Sequence, residues 1–105
     1  MKKKSVVVLT VLCVWVSWLS AMAYASDSDT GKNIYESKCQ VCHGSNGDGQ
    51  GPAAGTLAKV PADFKSPEFW QRMNDNKIAD VIENGIGVMP SFDMSSRDVK
   101  AVTEY

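Results

Sequence analysis

The sequence predicts an all-α domain of four or five short helices joined by irregular loops. Three observations predict this class: apolar residues recur at helical spacing wherever a period can be read, no segment alternates as a strand does, and glycine or proline interrupts the chain between helices. A chain this short buries little surface of its own. We therefore expect an additional stabilising group at its centre.

The first 25 residues have the three parts of a secretory signal peptide. Lys2 to Lys4 precede a 14-residue apolar run from Val6 to Leu19, and Ala23-Tyr24-Ala25 supplies small residues before a cleavage site. The run is shorter than the roughly 20 residues that a membrane span needs. We predict a signal peptide over residues 1–25, a single mature domain over residues 26–105 and a periplasmic location. An uncleaved signal that anchors the domain to the membrane, facing the periplasm, is the alternative.

The mature domain is mildly acidic. The signal segment holds three of the 11 basic residues and none of the 12 acidic ones, so residues 26–105 have a formal net charge of −4. Nucleic-acid binding normally requires a basic surface, and we therefore predict no nucleic-acid partner.

The first helix of the mature domain is predicted over Thr30 to Lys38. Asp29 or Thr30 is its expected N-cap, because short polar side chains satisfy the free N–H groups at a helix start. Residues 44–55 follow Cys39 to His43 and contain five glycines and Pro52. Both residue types disfavour regular elements, so this segment is predicted to be a loop.

Two further helices are predicted in the middle of the domain. Ser66 followed by Pro67 is typical of a helix start, since serine caps helices and proline fits the first helical position. This helix is expected to continue to Met73. Asp75 is the expected cap of the next helix, which is predicted over Asn76 to Asn84.

The last part of the chain combines a loop and a final helix. Gly85 is expected to end the preceding helix, because glycine readily adopts the left-handed conformation. Residues 85–92 contain two glycines and Pro90, which exclude a continuous helix and predict an extended loop. Ser95 then begins a capping-box-like sequence, and Val99 of the final helix is expected to face inward.

The chemically active residues are concentrated in Cys39 to His43, whose sequence is CQVCH. Because Cys13 lies in the signal segment, the mature domain has two cysteines and a single histidine. These are too few for a four-ligand zinc site, a cysteine-ligated iron–sulfur cluster or a framework of several disulfides. C-x-x-C-H is the attachment signature of c-type haem: the cysteines form thioethers with the porphyrin, and the histidine ligates the iron. We therefore predict one covalently attached haem c.

Three other interpretations of these residues are less well supported by the sequence. A thioredoxin-like redox pair usually follows a strand, and no strand is predicted before Cys39. A disulfide between Cys39 and Cys42 would close a loop too short to contribute much stability. A zinc site would lack its fourth ligand. Haem is the favoured interpretation, and it would also supply the apolar centre that the domain lacks.

The second axial ligand of the iron must come from elsewhere in the chain. With His43 already used, the candidates are a methionine, a lysine amine or no protein group. Met89 is favoured because it lies 46 residues after His43 in the predicted loop before Pro90. Met73, Met94 and an open site are the alternatives.

A wider arrangement of residues resembles a known family. The sequence YESKCQVCHGSNGDGQGP, followed by NGIGVMPSF and a closing helix with Tyr105, resembles the small bacterial class I c-type cytochromes, which are single-haem electron carriers. The resemblance extends over essentially the whole mature domain and implies the class I cytochrome c fold. It also implies that Gly31 and Tyr35 of the first helix pack against Tyr105.

The resemblance assigns roles to five residues of this sequence. It implies thioether links at Cys39 and Cys42, axial ligation by His43 and Met89, and a Pro52 carbonyl that accepts the other ring N–H of His43. Such an acceptor would fix the tautomer and orientation of the imidazole.

Trp70 has two possible roles. The segment from Val60 to Trp70 is predicted to form the wall below the haem edge. There the indole N–H of Trp70 could donate to a haem propionate, or the ring could simply pack against its neighbours; packing is favoured.

The predicted function is one-electron transfer by a periplasmic carrier and not enzymatic catalysis. A haem with both axial positions filled by protein has no vacancy for a substrate. The alternatives are a haem-bearing subunit of a larger redox enzyme and a ligand-binding haem sensor. The expected partners are transient redox proteins, including membrane-anchored respiratory complexes, and the expected oligomeric state is a monomer.

Overall fold

The computed structural model describes residues 27–105, and in this range the protein is helical. Residues 27–105 contain four helices, a short 3-10 turn at Ala54–Thr56 and no strand; one isolated β-bridge joins Ile86 and Met89. The all-α prediction is confirmed. The predicted signal peptide lies outside the described residues. Within them, no helix is both long and apolar enough to cross a membrane.

Helix α1 comprises residues 27–43 and changes its winding along its length. Residues 27–34 are α-helical, Tyr35–Cys39 is a π-helical turn, and Gln40–His43 is α-helical again. The prediction of a start at residue 30 is wrong: the backbone is already helical at residue 27, so Asp29 and Thr30 lie inside the helix. Polar residues of this kind mark helix starts but are also tolerated inside a helix. The π-helical turn is of a kind often found at functional sites.

The glycine-rich loop, residues 44–55, follows α1. Three more helices come after it, namely α2 (Pro67–Arg72), α3 (Asp75–Asn84) and α4 (Ser96–Glu104). Ser95 caps α4 as predicted, since its Oγ accepts the N–H of Asp98 at 3.2 Å. The cap of α3 is Asn74 and not Asp75: the Asn74 side chain accepts the N–H of Lys77 at 3.0 Å. Adjacent Asn and Asp are both good caps, which explains the error of one residue.

Helix α2 begins at Pro67 as predicted, but Ser66 plays a different part from the one expected. Its hydroxyl donates to the Glu68 carboxylate at 2.6 Å, and its side chain accepts no backbone N–H. The proline at the first helical position therefore defines the start of this short helix.

The core formed by protein side chains is small. Helices α3 and α4 pack against each other, and the buried apolar residues of the described chain are Ile82, Val99 and Ala101. Val99 is the most deeply buried, at 2% exposure. Three such residues form a slight core for a domain of this length, which agrees with the expectation of an additional apolar group.

Helix α1 crosses α4 at Gly31. A Cβ atom at this position would overlap the carbonyl oxygen of Ala101 and lie 3.0 Å from the Cβ of Tyr105. Close by, the rings of Tyr35 and Tyr105 meet with their centroids 5.7 Å apart. The contact of Gly31 and Tyr35 with Tyr105, which the family resemblance implied, is therefore present.

Gly31→Ala is expected to lower the free energy of unfolding by about 1–3 kcal/mol, the typical cost of overpacking. In a helix, alanine is normally more stabilising than glycine by about 1 kcal/mol. We therefore expect Gly31→Ala to destabilise the protein even though the intrinsic helix preference alone would stabilise it. Gly55→Ala is the matched control, because a Cβ there meets nothing within 4 Å. Denaturant unfolding of the haem-loaded protein measures both variants. Equal stability of the two variants would contradict the close helix crossing.

Candidate haem-binding site

The last part of α1 carries the three residues of the attachment motif. Cys39, Cys42 and His43 are spaced so that they share one face of the helix, and all three are half-buried. Both thiols are free. Burial raises the pKa of the Cys39 thiol, while nearby Lys38 acts in the opposite direction. Two free thiols one turn apart are thus held next to the only histidine of the chain.

The imidazole of His43 has a defined orientation. Its Nδ1 atom lies 3.2 Å from the carbonyl oxygen of Ala62. A carbonyl can only accept a hydrogen bond, so Nδ1 carries the proton of the neutral ring and Nε2 keeps its lone pair. One face of the ring stacks on Phe64, with centroids 4.6 Å apart and planes 15° apart. Nε2 is consequently the atom available to ligate a metal.

Burial favours the neutral form of this imidazole. It lowers the pKa of His43, and the hydrogen bond to Ala62 offsets part of the effect. Metal ligation requires the neutral ring, so the site favours the ligating form at neutral pH.

The acceptor at His43 differs from the one that the family resemblance implied. The structure places the Ala62 carbonyl at Nδ1, whereas Pro52 is exposed in the glycine-rich loop. On either side of Pro52, the N–H groups of Gly51 and Ala53 donate to carbonyls in the last turn of α1, at 3.0 and 2.9 Å. Pro52 is thus in a segment that is bonded to α1. Sequence reasoning could not find Ala62, because any residue can supply a backbone carbonyl.

The glycine-rich loop folds back on the end of α1. The hydroxyl of Tyr35 donates to the Gly44 carbonyl at 2.7 Å, and the N–H of Gly49 donates to the His43 carbonyl at 2.8 Å. Gly51 must remain a glycine, since a Cβ would lie 2.5 Å from the Gln40 carbonyl oxygen. These contacts bring the loop against His43.

The same loop is hydrogen-bonded to the segment that contains Ala62. The N–H of Phe64 donates to the carbonyl of Gly47 at 2.7 Å. The ring of Phe64 also contacts Phe69 edge-on, with centroids 5.1 Å apart. The segment before α2 is therefore positioned by the loop on one side and by α2 on the other.

Met89 lies in a tight turn after α3. The N–H of Ile86 donates to the Met89 carbonyl at 3.0 Å, and the N–H of Met89 donates to the Ile86 carbonyl at 2.9 Å. The turn is connected to α3 by a hydrogen bond from the N–H of Phe92 to the Ile82 carbonyl at 2.9 Å. The predicted loop is thus present, with Met89 half-buried.

The predicted site residues fall into two groups. Cys39, Cys42 and His43 lie together on α1, whereas none of the hydrogen bonds in residues 27–105 links the turn of Met89 to them. The other two methionines of the described chain are also half-buried, Met73 at the end of α2 and Met94 just before α4. Burial alone does not distinguish the three methionines.

Trp70 donates its indole N–H to the protein backbone. The acceptor is the carbonyl of Phe64 at 2.7 Å, and the indole ring meets Phe69 edge-on, with centroids 5.0 Å apart. The indole N–H is thus bonded within the protein, to the segment that is predicted to lie below the haem edge.

The donor set fits a covalently attached haem better than a bare metal ion. In the part of the chain that the structure describes, no group of three or more histidine, cysteine, aspartate or glutamate residues could hold a metal ion. The two free thiols, the available Nε2 of His43 and the slight core all suit an apolar macrocycle held by thioethers.

An all-α domain that carries a C-x-x-C-H motif at the end of α1 has the features of a small c-type cytochrome. The chain belongs to the family described as cytochrome c oxidase, cbb3-type, subunit III, whose model matches residues 26–105. Family membership confirms the predicted class and the covalently bound haem c.

The comparisons also identify one curated relative. The chain is similar to cytochrome c6 from Pyropia yezoensis, with 26% identity over 110 residues that cover 100% of this chain and 92% of the relative. No solved structure matches.

Proposed function

We propose that the protein is a periplasmic electron carrier with one haem c, attached through Cys39 and Cys42 and ligated by His43 and Met89. The observation that carries the proposal is the geometry of His43, whose Nδ1 proton faces Ala62 and whose Nε2 is free beside two free thiols. When bound, the haem supplies a one-electron ferrous/ferric couple.

The chain's own residues hold and orient this group. Cys39 and Cys42 would hold the haem through two thioethers on one turn of α1. His43 provides a neutral imidazole, and Ala62 sets its tautomer and ring orientation through the hydrogen bond at Nδ1. No residue needs to gain or lose a proton for an electron to pass.

Met89 is the proposed second protein ligand and would supply a thioether sulfur to the iron. Its turn is closed by two backbone hydrogen bonds and connected to α3, so the flexible thioether is carried by a fixed backbone. Ligation by both His43 and Met89 would leave no vacant iron position for a substrate. This arrangement supports electron transfer in preference to oxygen or peroxide chemistry.

The proposed periplasmic location depends on residues 1–25. The family match covers residues 26–105 and leaves out the predicted signal peptide, which supports a division of the chain at this point.

The proposed partners are redox proteins that bind transiently to a monomeric carrier. Such contacts are small and are steered by charge. The net charge of −4 over residues 26–105 favours a partner with a basic surface.

A second candidate function is that of a haem-bearing subunit in a larger redox enzyme. The family description favours it, because it names subunit III of an oxidase. Copurification with a partner that resists removal by salt would support the subunit, whereas a carrier would elute alone.

Visible spectroscopy tests the proposed ligation. The oxidised protein is expected to show the weak thioether-to-iron charge-transfer band, and the reduced protein is expected to bind carbon monoxide poorly, because Met89 fills the position that the gas would need. Avid carbon monoxide binding at neutral pH would contradict the carrier and favour a ligand sensor. A pyridine haemochrome spectrum together with the intact mass gives the number of haems, the number of thioethers and the presence or absence of residues 1–25.

A further inference from the structure

A series of aromatic rings links His43 to the protein surface. The His43 imidazole stacks on Phe64 at 4.6 Å, Phe64 meets Phe69 at 5.1 Å, and Phe69 meets Trp70 at 5.0 Å. The series ends at Trp70, whose side chain is 51% exposed. A half-exposed tryptophan contributes less hydrophobic free energy to folding than a fully buried one. The hydrogen bond and ring contact of Trp70 therefore say more about its role than its burial does.

The backbone of Phe64 is held on both sides. Its N–H donates to the Gly47 carbonyl at 2.7 Å, and its carbonyl accepts the indole N–H of Trp70 at 2.7 Å. The first bond connects Phe64 to the glycine-rich loop, and the second connects it to α2. Trp70 is the only tryptophan in residues 26–105, and no other side chain of the described residues donates to this carbonyl.

The segment that contains Phe64 makes two contacts with His43. Its ring covers one face of the imidazole, and Ala62, two residues earlier in the same segment, accepts the Nδ1 proton. Movement of this segment would change the stacking and the hydrogen bond together. Both contacts set the orientation of the ring.

We propose that Trp70 is a positioning residue for His43 and that it acts through Phe64. Its indole N–H fixes the backbone of Phe64, which keeps the Phe64 ring on the imidazole and the Ala62 carbonyl at Nδ1. This inference rests on the proposed ligation of the haem iron by His43. Trp70 acts on His43 only through Phe64, whose carbonyl accepts the indole N–H.

Trp70→Phe is the decisive variant, because it keeps an aromatic ring against Phe69 and removes the N–H donor. Gln71→Ala is the matched control: Gln71 is the exposed neighbour of Trp70 on α2. Two measurements on the haem-loaded protein report on the segment. The first is the rate of hydrogen exchange at the Phe64 amide and at the His43 Nδ1 proton. The second is the paramagnetic shift of the His43 ring resonances in the oxidised protein, which depends on the orientation of the imidazole.

Loss of one hydrogen bond is expected to speed exchange at the Phe64 amide by about two- to tenfold. The His43 Nδ1 proton is expected to exchange faster as well, and the shifted His43 resonances are expected to move, while Gln71→Ala changes none of these. A purely packing role for Trp70 would lower global stability and leave the His43 signals in place, and that result would overturn the inference.

Two further outcomes separate the inference from the function on which it rests. A wild-type protein without shifted His43 resonances would overturn the ligand assignment, and with it this role of Trp70. Shifted resonances that stay unchanged in Trp70→Phe would overturn only the role of Trp70. If Trp70→Phe does not accumulate, replacing the indole of Trp70 with benzothiophene removes the N–H at nearly constant shape, and the same readouts decide.

Discussion

His43→Ala is expected to yield no haem-loaded protein. The variant loses the only imidazole of the chain, and with it both the free Nε2 and the Nδ1 bond to Ala62 that orients the ring. Cys39 and Cys42 would remain, but the attached group would have no ligand from α1. Because the protein core is slight, the domain would then lack the group that completes it. Haem staining and the intact mass of the exported protein measure the loss.

Val41→Ala is the matched control for His43→Ala. Val41 lies between the two cysteines on the same helix, and its side chain is 47% exposed. Truncation of an exposed side chain is expected to change stability by no more than about 0.5 kcal/mol. The control should therefore mature normally. A His43→Ala protein that carries haem with the wild-type spectrum would refute axial ligation by His43.

Met89→Ala is expected to leave the haem attached but to change its electronic properties. The covalent attachment and His43 lie on α1, whereas Met89 lies in the turn after α3, so the two functions are separable. Loss of the thioether is expected to lower the reduction potential by on the order of 0.1 V, within the roughly 0.8 V range that axial ligands span. Carbon monoxide binding to the reduced protein is expected to rise strongly, since the iron position is opened.

The other two methionines provide the controls for Met89→Ala. Met73→Ala and Met94→Ala remove half-buried thioethers from the end of α2 and from the position just before α4. Both are expected to keep the wild-type potential and spectrum. If Met94→Ala or Met73→Ala produced the change and Met89→Ala did not, the ligand assignment would move to that residue.

The sequence was most informative where a side chain bonds to nearby backbone. Ser95 was predicted as a cap because its hydroxyl serves an N–H three residues away, and the structure has that bond. The same logic predicts a cap at Asp75, but the adjacent Asn74 satisfies the helix start instead, since either residue type is a good cap. The start of α1 was missed because Asp29 and Thr30 resemble caps yet lie inside the helix.

The attachment motif was also readable from the sequence, whereas its surroundings were not. C-x-x-C-H is local, so its spacing alone indicates the chemistry. The Ala62 carbonyl at His43 and the bond from Trp70 to Phe64 depend on the path of the loop, and a backbone carbonyl leaves no mark in the sequence. The family resemblance placed this acceptor at Pro52, ten residues too early.

The small core of Ile82, Val99 and Ala101 affects how much of the protein accumulates in the cell. A ligand that binds only the folded state stabilises that state by mass action, and a domain that depends on its ligand for folding is unfolded without it. Chains that have not yet received haem would be open to proteases. The steady-state amount of the protein is therefore expected to fall when the supply of haem to the cell falls.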